Sequence, residues 1–291
     1  MPFIEVALPD TQAWIRHFEQ SGLPVLARTS EALARLREDI DEIAPRDVSD
    51  VVVDDPLMSL KVLIWANKHL ARHMQLTGSS LASEIETVET AIVSVGIGPF
   101  FRQFEQLNTV EARLADLPEA QLGLQQVLDR CLAAAVFARD WACHRNDLDI
   151  QVIVEAAMLH DVAELLVWIF APALSIEMRS IQRAFPHART EAIQRSILGI
   201  TFNELEVAIM QQWRLSSLLR QLTDDAHANT PQVRNAVLAA NLARHLANSN
   251  EDPALDDDFA QIAKLLRTSP EWVRNRVLPT AQVEPQPIHT A

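Results

Sequence analysis

Apolar residues recur at steps of three and four along most of the chain, which is the spacing of amphipathic α-helices. One predicted helix carries the apolar face Leu33, Leu36, Ile40 and Ile43. A second carries a longer apolar seam at Leu124, Leu128, Cys131, Ala135, Ala138 and Ala142. Periodicity of this kind predicts helices joined by short connections, with the polar stretch 107–119 linking two helical halves.

Cap residues followed by proline mark three helix starts, at Asp55-Pro56, Thr230-Pro231 and Ser269-Pro270. Strand signals are weak: the β-branched run 51–53 is short and is bounded by aspartates, so it is predicted to end a helix or form a turn. The fold class predicted from these patterns is all-α, a multi-helix bundle of two packed halves.

Residues 150–170 are apolar on every helical face, which predicts one continuous helix that is buried on all sides. His160, Asp161 and Glu164 nevertheless lie within it. A buried carboxylate must be paired, metal-bound or protonated, because an unpaired charge is too costly in a medium of low dielectric constant. This polar patch is the candidate functional site.

Charge and composition exclude several functions. The formal net charge is −14, which argues against a general nucleic-acid binder and against docking on anionic membranes. The chain has 6 glycines, and the isolated Gly96-x-Gly98 is no dinucleotide-binding fingerprint. The most apolar stretch, 152–174, contains acidic residues and is a poor membrane span, and the N-terminus has no secretion signal pattern.

The two cysteines point to a reducing compartment. Cys131 and Cys143 fall on one predicted helix, which would hold them roughly 18 Å apart, so they cannot form a disulfide within the chain. We therefore expect a cytoplasmic protein.

Several phrases of the sequence occur in the order of a known family. They are LPVLAR at 23–28, DP-L and LIWAN within 51–67, the segment 85–101, LHDVAEL at 159–165, and LG with the tryptophan-containing helix at 198–219. LHDVAEL resembles the histidine–aspartate signature of the HD superfamily of metal-dependent phosphohydrolases. Together the phrases resemble the HDOD domain, the HD-related output domain of bacterial signalling proteins.

The resemblance implies where the ligands of an HD metal site would stand. His160 and Asp161 form the histidine–aspartate pair, and His227 is aligned with a further histidine. Arg130 stands at the early histidine, Glu204 at a later one, and Asn241 at the late aspartate. Glu164 replaces a lysine that often follows the signature. The set is therefore degenerate, and we expect no bound metal and no catalytic residues.

An arginine cannot ligate a metal, because its guanidinium stays protonated and offers no lone pair. We hypothesise that an Arg130–Asp161 ion pair, joined or not by Glu204, replaces the cation. Simpler interpretations stay open: His160 as a core histidine and Asp161 as the anchor of a helix end. Thr201 and Glu204 have the spacing of a capping box, which is the preferred interpretation for Glu204. His227 is interpreted as a surface residue.

The resemblance implies a non-catalytic signalling or regulatory module that binds a protein partner or a small ligand, with no nucleic acid or membrane partner. A candidate binding surface is the groove between the two halves, near His160 and Asp161. The alternative is a phosphohydrolase acting on a nucleotide or cyclic dinucleotide, with Fe, Mn or Zn held by His160, Asp161, Glu164 or Glu204, and His227. A third possibility is a purely structural oligomerisation module, and homo-oligomerisation stays open.

The expected organisation has four segments. Residues 1–22 form an N-terminal extension and residues 23–250 the HDOD domain, with halves at 23–115 and 119–250. Residues 251–278 form C-terminal helices, and residues 279–291, which contain three prolines, form a flexible tail.

Overall fold

The structure is a computed structural model that describes residues 2–77, 84–185, 187–223 and 230–278. Within these ranges the regular elements are helices, and the only strand-like pairing is an isolated bridge between Val25 and Thr109, so the all-α prediction is confirmed. In chain order the helices are α1 (Thr11–Ser21), α2 (Ala27–Glu38), α3 (Pro45–Val52), α4 (Pro56–Thr77), α5 (Val88–Val95), α6 (Ile97–Gln103), α7 (Val110–Arg113), α8 (Pro118–Arg145), α9 (Ile150–Leu159), α10 (Val162–Phe170), α11 (Pro172–Ala184), α12 (Thr190–Leu198), α13 (Phe202–Gln212), α14 (Ser217–Leu222), α15 (Pro231–Asn248), α16 (Leu255–Leu266) and α17 (Pro270–Val277).

The long helix α8 is the centre of the second half. Pro118 stands in its first turn, where a missing N–H costs nothing, and Asn146 ends it in the left-handed conformation with φ of 56°. Helices α9, α10, α11 and α15 pack against it. Most of its predicted apolar seam is buried, including Leu124, Leu128 and Cys131.

Helices α2 to α6 form the first half and meet the second through α9. Helix α4 packs against α3, α5 and α9. The buried carboxyl group of Glu155, on α9, accepts the backbone N–H of Val88 at the start of α5, with N–O distances of 3.0 and 3.2 Å. The two halves therefore share an apolar contact and a buried hydrogen bond.

The chain ends pack into the same core. Helix α1 lies against α13, and its Trp14, Ile15 and Phe18 are buried. At the other end, α16 packs against α15 and α8, and α17 packs against α16. Residues 2–22 and 251–278 thus bury apolar surface against the bundle, while the predicted segment limits remain predictions. The tail predicted at 279–291 lies outside the described residues.

The proline-marked helix starts are present, since Pro56, Pro231 and Pro270 begin α4, α15 and α17. The run 51–53 ends α3 and enters a turn, as predicted. The predicted helix through Ile40 and Ile43 is too long, because α2 ends at Glu38. Acidic residues follow at 39, 41 and 42, and negative charge at a helix C-terminus opposes the helix dipole.

The prediction of one continuous helix over residues 150–170 is wrong. The chain turns at His160 and Asp161, which separate α9 from α10, and Asp161 has φ of −101° and ψ of 19°. The apolar pattern continues on both sides of the turn, so the turn cannot be predicted from periodicity alone. Both helices are buried on nearly all sides, as their composition predicts.

No helix in the described ranges is both long enough and apolar enough to cross a membrane. Cys131 is buried, Cys143 is exposed, and both are free thiols, in agreement with the predicted absence of a disulfide between them.

Candidate functional site: a buried arginine–carboxylate cluster

The turn between α9 and α10 meets α8 and α15 at a cluster of four charged side chains. From α8, Arg130 donates through Nε to Asp161 Oδ2 at 3.3 Å and through Nη2 to Glu164 Oε2 at 2.6 Å. From α15, Arg244 donates through Nη2 to Asp161 Oδ1 at 2.7 Å. Both oxygens of Asp161 therefore contact guanidinium groups, and the hypothesised Arg130–Asp161 pair is present.

The cluster is electrically balanced, because two guanidinium groups face two carboxylates. Burial alone raises the pKa of Asp161, but Arg244, the neighbouring His160 side chain and Arg130 outweigh it and hold that pKa well below its usual range. Burial lowers the pKa of Arg130, and Glu164 and Asp161 more than compensate, so its pKa is raised. Asp161 is thus ionised at neutral pH.

His160 lies beside this cluster as a core histidine. Its side chain is buried, and its Nδ1 lies 3.7 Å from Asp161 Oδ1. The simpler interpretation of His160 as a core residue agrees with this placement. The interpretation of Asp161 as the anchor of a helix end is half right: Asp161 precedes α10, but its side chain caps no backbone N–H there.

The hydrogen bonds of Glu204 are with residues outside the cluster. It accepts the N–H of Thr201 at 2.9 Å, while the Thr201 hydroxyl accepts the N–H of Glu204 at 3.1 Å, which is the predicted capping box at the start of α13. Its other partner is the exposed Arg195, at 2.9 Å. The suggestion that Glu204 joins the Arg130–Asp161 pair is therefore wrong, because its carboxylate caps the N-terminus of α13 and contacts Arg195.

Of the two remaining candidate residues, Asn241 lies next to the cluster and His227 lies outside the described residues. Asn241 lies on α15 and accepts a hydrogen bond from Arg244 Nη1 at 3.1 Å, so it orients the arginine that contacts Asp161. Arg244 itself was missed by sequence reasoning, although it stands three residues after Asn241 and hence on the same side of the helix.

The side chains at this position do not fit a divalent cation. A metal site needs deprotonated O, N or S donors with free lone pairs, whereas Asp161 and Glu164 already accept hydrogen bonds from guanidinium groups, and neither arginine can serve as a ligand. Across the part of the chain that the structure describes, no group of three or more His, Cys, Asp and Glu side chains could hold a metal ion.

Other shared phrases of the sequence serve the fold. The buried Asp55 accepts the backbone N–H groups of Leu26, Leu57 and Met58 at 2.9, 2.9 and 3.1 Å, so it starts α4 and ties residue 26 to it. Asn67 donates to the carbonyl oxygen of Ile85 at 3.0 Å and accepts the N–H of Ile85 at 3.2 Å. These two side chains satisfy buried backbone groups between elements distant in sequence.

The sequence of the chain matches that of a known protein family. The profile of the HDOD domain matches residues 23–229. The chain belongs to the HDOD family. No curated protein sequence matches it.

Two solved structures share the HDOD fold of this chain. One is the MmoQ response regulator of Methylococcus capsulatus, with a TM-score of 0.63 and 19% identity over 89% of this chain and 98% of that one. The other is a virulence factor of Campylobacter jejuni, with a TM-score of 0.62 and 19% identity over 88% of this chain and 89% of that one. Identity at this level establishes similarity of fold.

The groove predicted between the two halves, near His160 and Asp161, stays a prediction. Both side chains are buried, and neither lines the cleft of about 720 Å³ whose walls include residues of α1 and α4. The polar patch of the sequence is therefore an ion cluster in which the aspartate is buried and Arg244 is partly exposed.

Proposed function

We propose that this HDOD chain is a non-catalytic signalling or regulatory module that recognises a protein partner or a small ligand. The observation that carries the proposal is the position of Asp161 between Arg130 and Arg244. Hydrolysis in the manner of HD enzymes needs a cation with an open coordination position to activate water. Two guanidinium groups neutralise the aspartate but offer no such position.

The structural neighbours agree with a signalling role for this fold, since MmoQ is described as a response regulator. The alternative, a phosphohydrolase using Fe, Mn or Zn, would require Asp161 and Glu164 to exchange their arginine partners for a metal. We also propose a cytoplasmic location, because the two free cysteines are compatible with a reducing compartment.

Metal loading separates the two functions. The purified chain is incubated with Fe²⁺, Mn²⁺ or Zn²⁺ in turn, desalted and measured by elemental analysis, and hydrolysis of bis(p-nitrophenyl) phosphate and cyclic di-GMP is followed in parallel. We expect substoichiometric metal and no turnover above that of the Asp161→Asn variant. Stoichiometric metal that is lost in His160→Ala, together with turnover that is lost in the same variant, would establish the phosphohydrolase instead.

A further inference from the structure

A cleft of about 720 Å³ lies between the end of α1, one face of α4, the end of α6 and Trp213. Its volume is in the range of small-molecule sites in proteins, which is about 300–1,000 Å³. Its walls are separate from the buried arginine–carboxylate cluster, since they include none of the four charged residues of that cluster.

The cleft is basic in an acidic protein. Lys61, Trp65, Lys68 and Arg72 line it and recur on α4 at steps of four, three and four, so they form one stripe on a single helix face. The two lysines and the arginine are accompanied by a single carboxylate among the residues that line the cleft, that of Glu19. The chain as a whole has a formal net charge of −14, so this stripe is a local reversal of sign.

The single carboxylate is already engaged. Glu19 Oε1 accepts the indole N–H of Trp213 at 3.0 Å and lies 3.8 Å from Lys68 Nζ. Lys61 donates to the carbonyl oxygen of Leu23 at 2.8 Å, and the side chain of Arg72 is exposed. Positive charge therefore remains in excess along the cleft, and it attracts an anion.

An aromatic surface adjoins the cations. The ring of Trp65 stands edge-to-face with Phe104, with 5.2 Å between the centroids and 72° between the planes, and both residues line the cleft. Phe18 and Trp213 are further walls. Aromatic walls beside lysine and arginine offer stacking to a planar ring and charge pairing to an anionic group attached to it.

We propose that this cleft binds a small anionic ligand that carries a planar aromatic ring, of the nucleotide class. This ligand class makes the proposed function more specific. It rests on that function in one respect, namely that the chain acts by recognising a ligand. The ring packs against the Trp65 side, and the phosphate lies toward Lys68 and Arg72.

Isothermal titration calorimetry with AMP tests the proposal, with adenosine and ribose 5-phosphate as the two half-ligands. We expect saturable binding of AMP, and binding at least about tenfold weaker for each half-ligand, because each one lacks one of the two interactions. The affinity for AMP should fall as NaCl is raised, since the charges lie in an open cleft.

The double variant Lys68→Ala/Arg72→Ala removes two cations from the cleft and should raise the dissociation constant for AMP by about tenfold or more. Arg46→Ala/Lys264→Ala is the matched control, because it removes the same charge from exposed positions that do not line the cleft. Trp65→Leu should weaken AMP by about fivefold or more while leaving ribose 5-phosphate unchanged, with circular dichroism checking its fold.

Three results would overturn the proposal. They are no saturable binding of AMP, equal affinities of the cleft variant and its control, and displacement of AMP by an acidic peptide that binds more tightly. The proposed function fails separately. If AMP binds in the cleft but the chain hydrolyses phosphodiesters with loaded metal, the cleft assignment stands and the non-catalytic function is wrong. If AMP does not bind and no phosphodiester is hydrolysed, the cleft assignment is wrong and the non-catalytic function stands.

Discussion

Replacing Arg130 with methionine removes the guanidinium group that bridges Asp161 and Glu164, while an unbranched side chain of similar length remains. The Arg130, Asp161 and Glu164 side chains are 16%, 9% and 22% exposed, so the broken contacts are largely dehydrated. Removing one partner of a buried ion pair typically costs about 3–5 kcal/mol.

The expected loss for Arg130→Met is somewhat smaller than that range. Asp161 keeps Arg244 at 2.7 Å, and the more exposed Glu164 can be hydrated after the change. We therefore expect the free energy of unfolding to fall by about 2–4 kcal/mol. Urea titration measures it by linear extrapolation, with tryptophan fluorescence and circular dichroism followed together to check for a two-state transition.

Arg195→Met is the matched control. Arg195 contacts Glu204 at 2.9 Å, a distance similar to those in the cluster, but the two side chains are 56% and 43% exposed. An exposed pair of this kind contributes at most about 1 kcal/mol. If Arg130→Met costs no more than Arg195→Met, the cluster is not a buried electrostatic unit and the reasoning from Asp161 is refuted.

A second variant identifies the charge as the cause. Arg130→Met leaves Glu164 without its 2.6 Å partner, and Glu164→Gln in the same chain removes that unpaired charge. The double variant Arg130→Met/Glu164→Gln should recover about 1 kcal/mol relative to Arg130→Met, which appears as a coupling energy in a double-mutant cycle. Additive effects of the two changes would contradict an electrostatic origin of the loss.

Two further predictions concern buried groups elsewhere. Burial raises the pKa of Glu155 from 4.5 to about 8 against the opposing hydrogen bond from Val88, so the folded state binds a proton more tightly than the unfolded state. The free energy of unfolding should therefore fall as pH rises from about 4.5 to about 8, by at most about 5 kcal/mol, and Glu155→Gln should flatten this dependence in urea titrations at several pH values. Gly123→Ala should destabilise the fold by about 1–3 kcal/mol, because a Cβ there would lie 2.4 Å from the ring of Trp168. Gly98→Ala, whose Cβ would have an ordinary 3.6 Å contact, should be neutral or stabilising, and thermal denaturation of the two variants measures the difference.

Local chemistry made much of the fold predictable. A cap residue followed by proline favours a helix start through constraints that lie within one turn, and α4, α15 and α17 begin at Pro56, Pro231 and Pro270 accordingly. The capping box of Thr201 and Glu204 is predictable for the same reason. In contrast, the turn at His160 and Asp161 depends on partners from α8 and α15, which periodicity within 150–170 does not contain.

The candidate site was predictable in part. The apolar surroundings of Asp161 required a partner for its charge, and alignment with the family placed Arg130 at a ligand position. Arg244 could not be deduced in this way, because it is 83 residues from Asp161 and the alignment pointed to Asn241. Helix geometry would have put Arg244 on the same side as Asn241, one turn further along.

The cluster balances the charge of its carboxylates with arginine side chains. A divalent cation supplies two positive charges to a buried carboxylate group, and Arg130 and Arg244 together supply the same two charges to Asp161 and Glu164. The electrostatic requirement of the buried aspartate is then met without a metal. The chemistry differs, however, because guanidinium groups hold fixed hydrogen bonds and cannot polarise a bound water as a metal does. On the proposed function, Arg130 and Arg244 stabilise this turn without supplying the chemistry of metal-dependent hydrolysis.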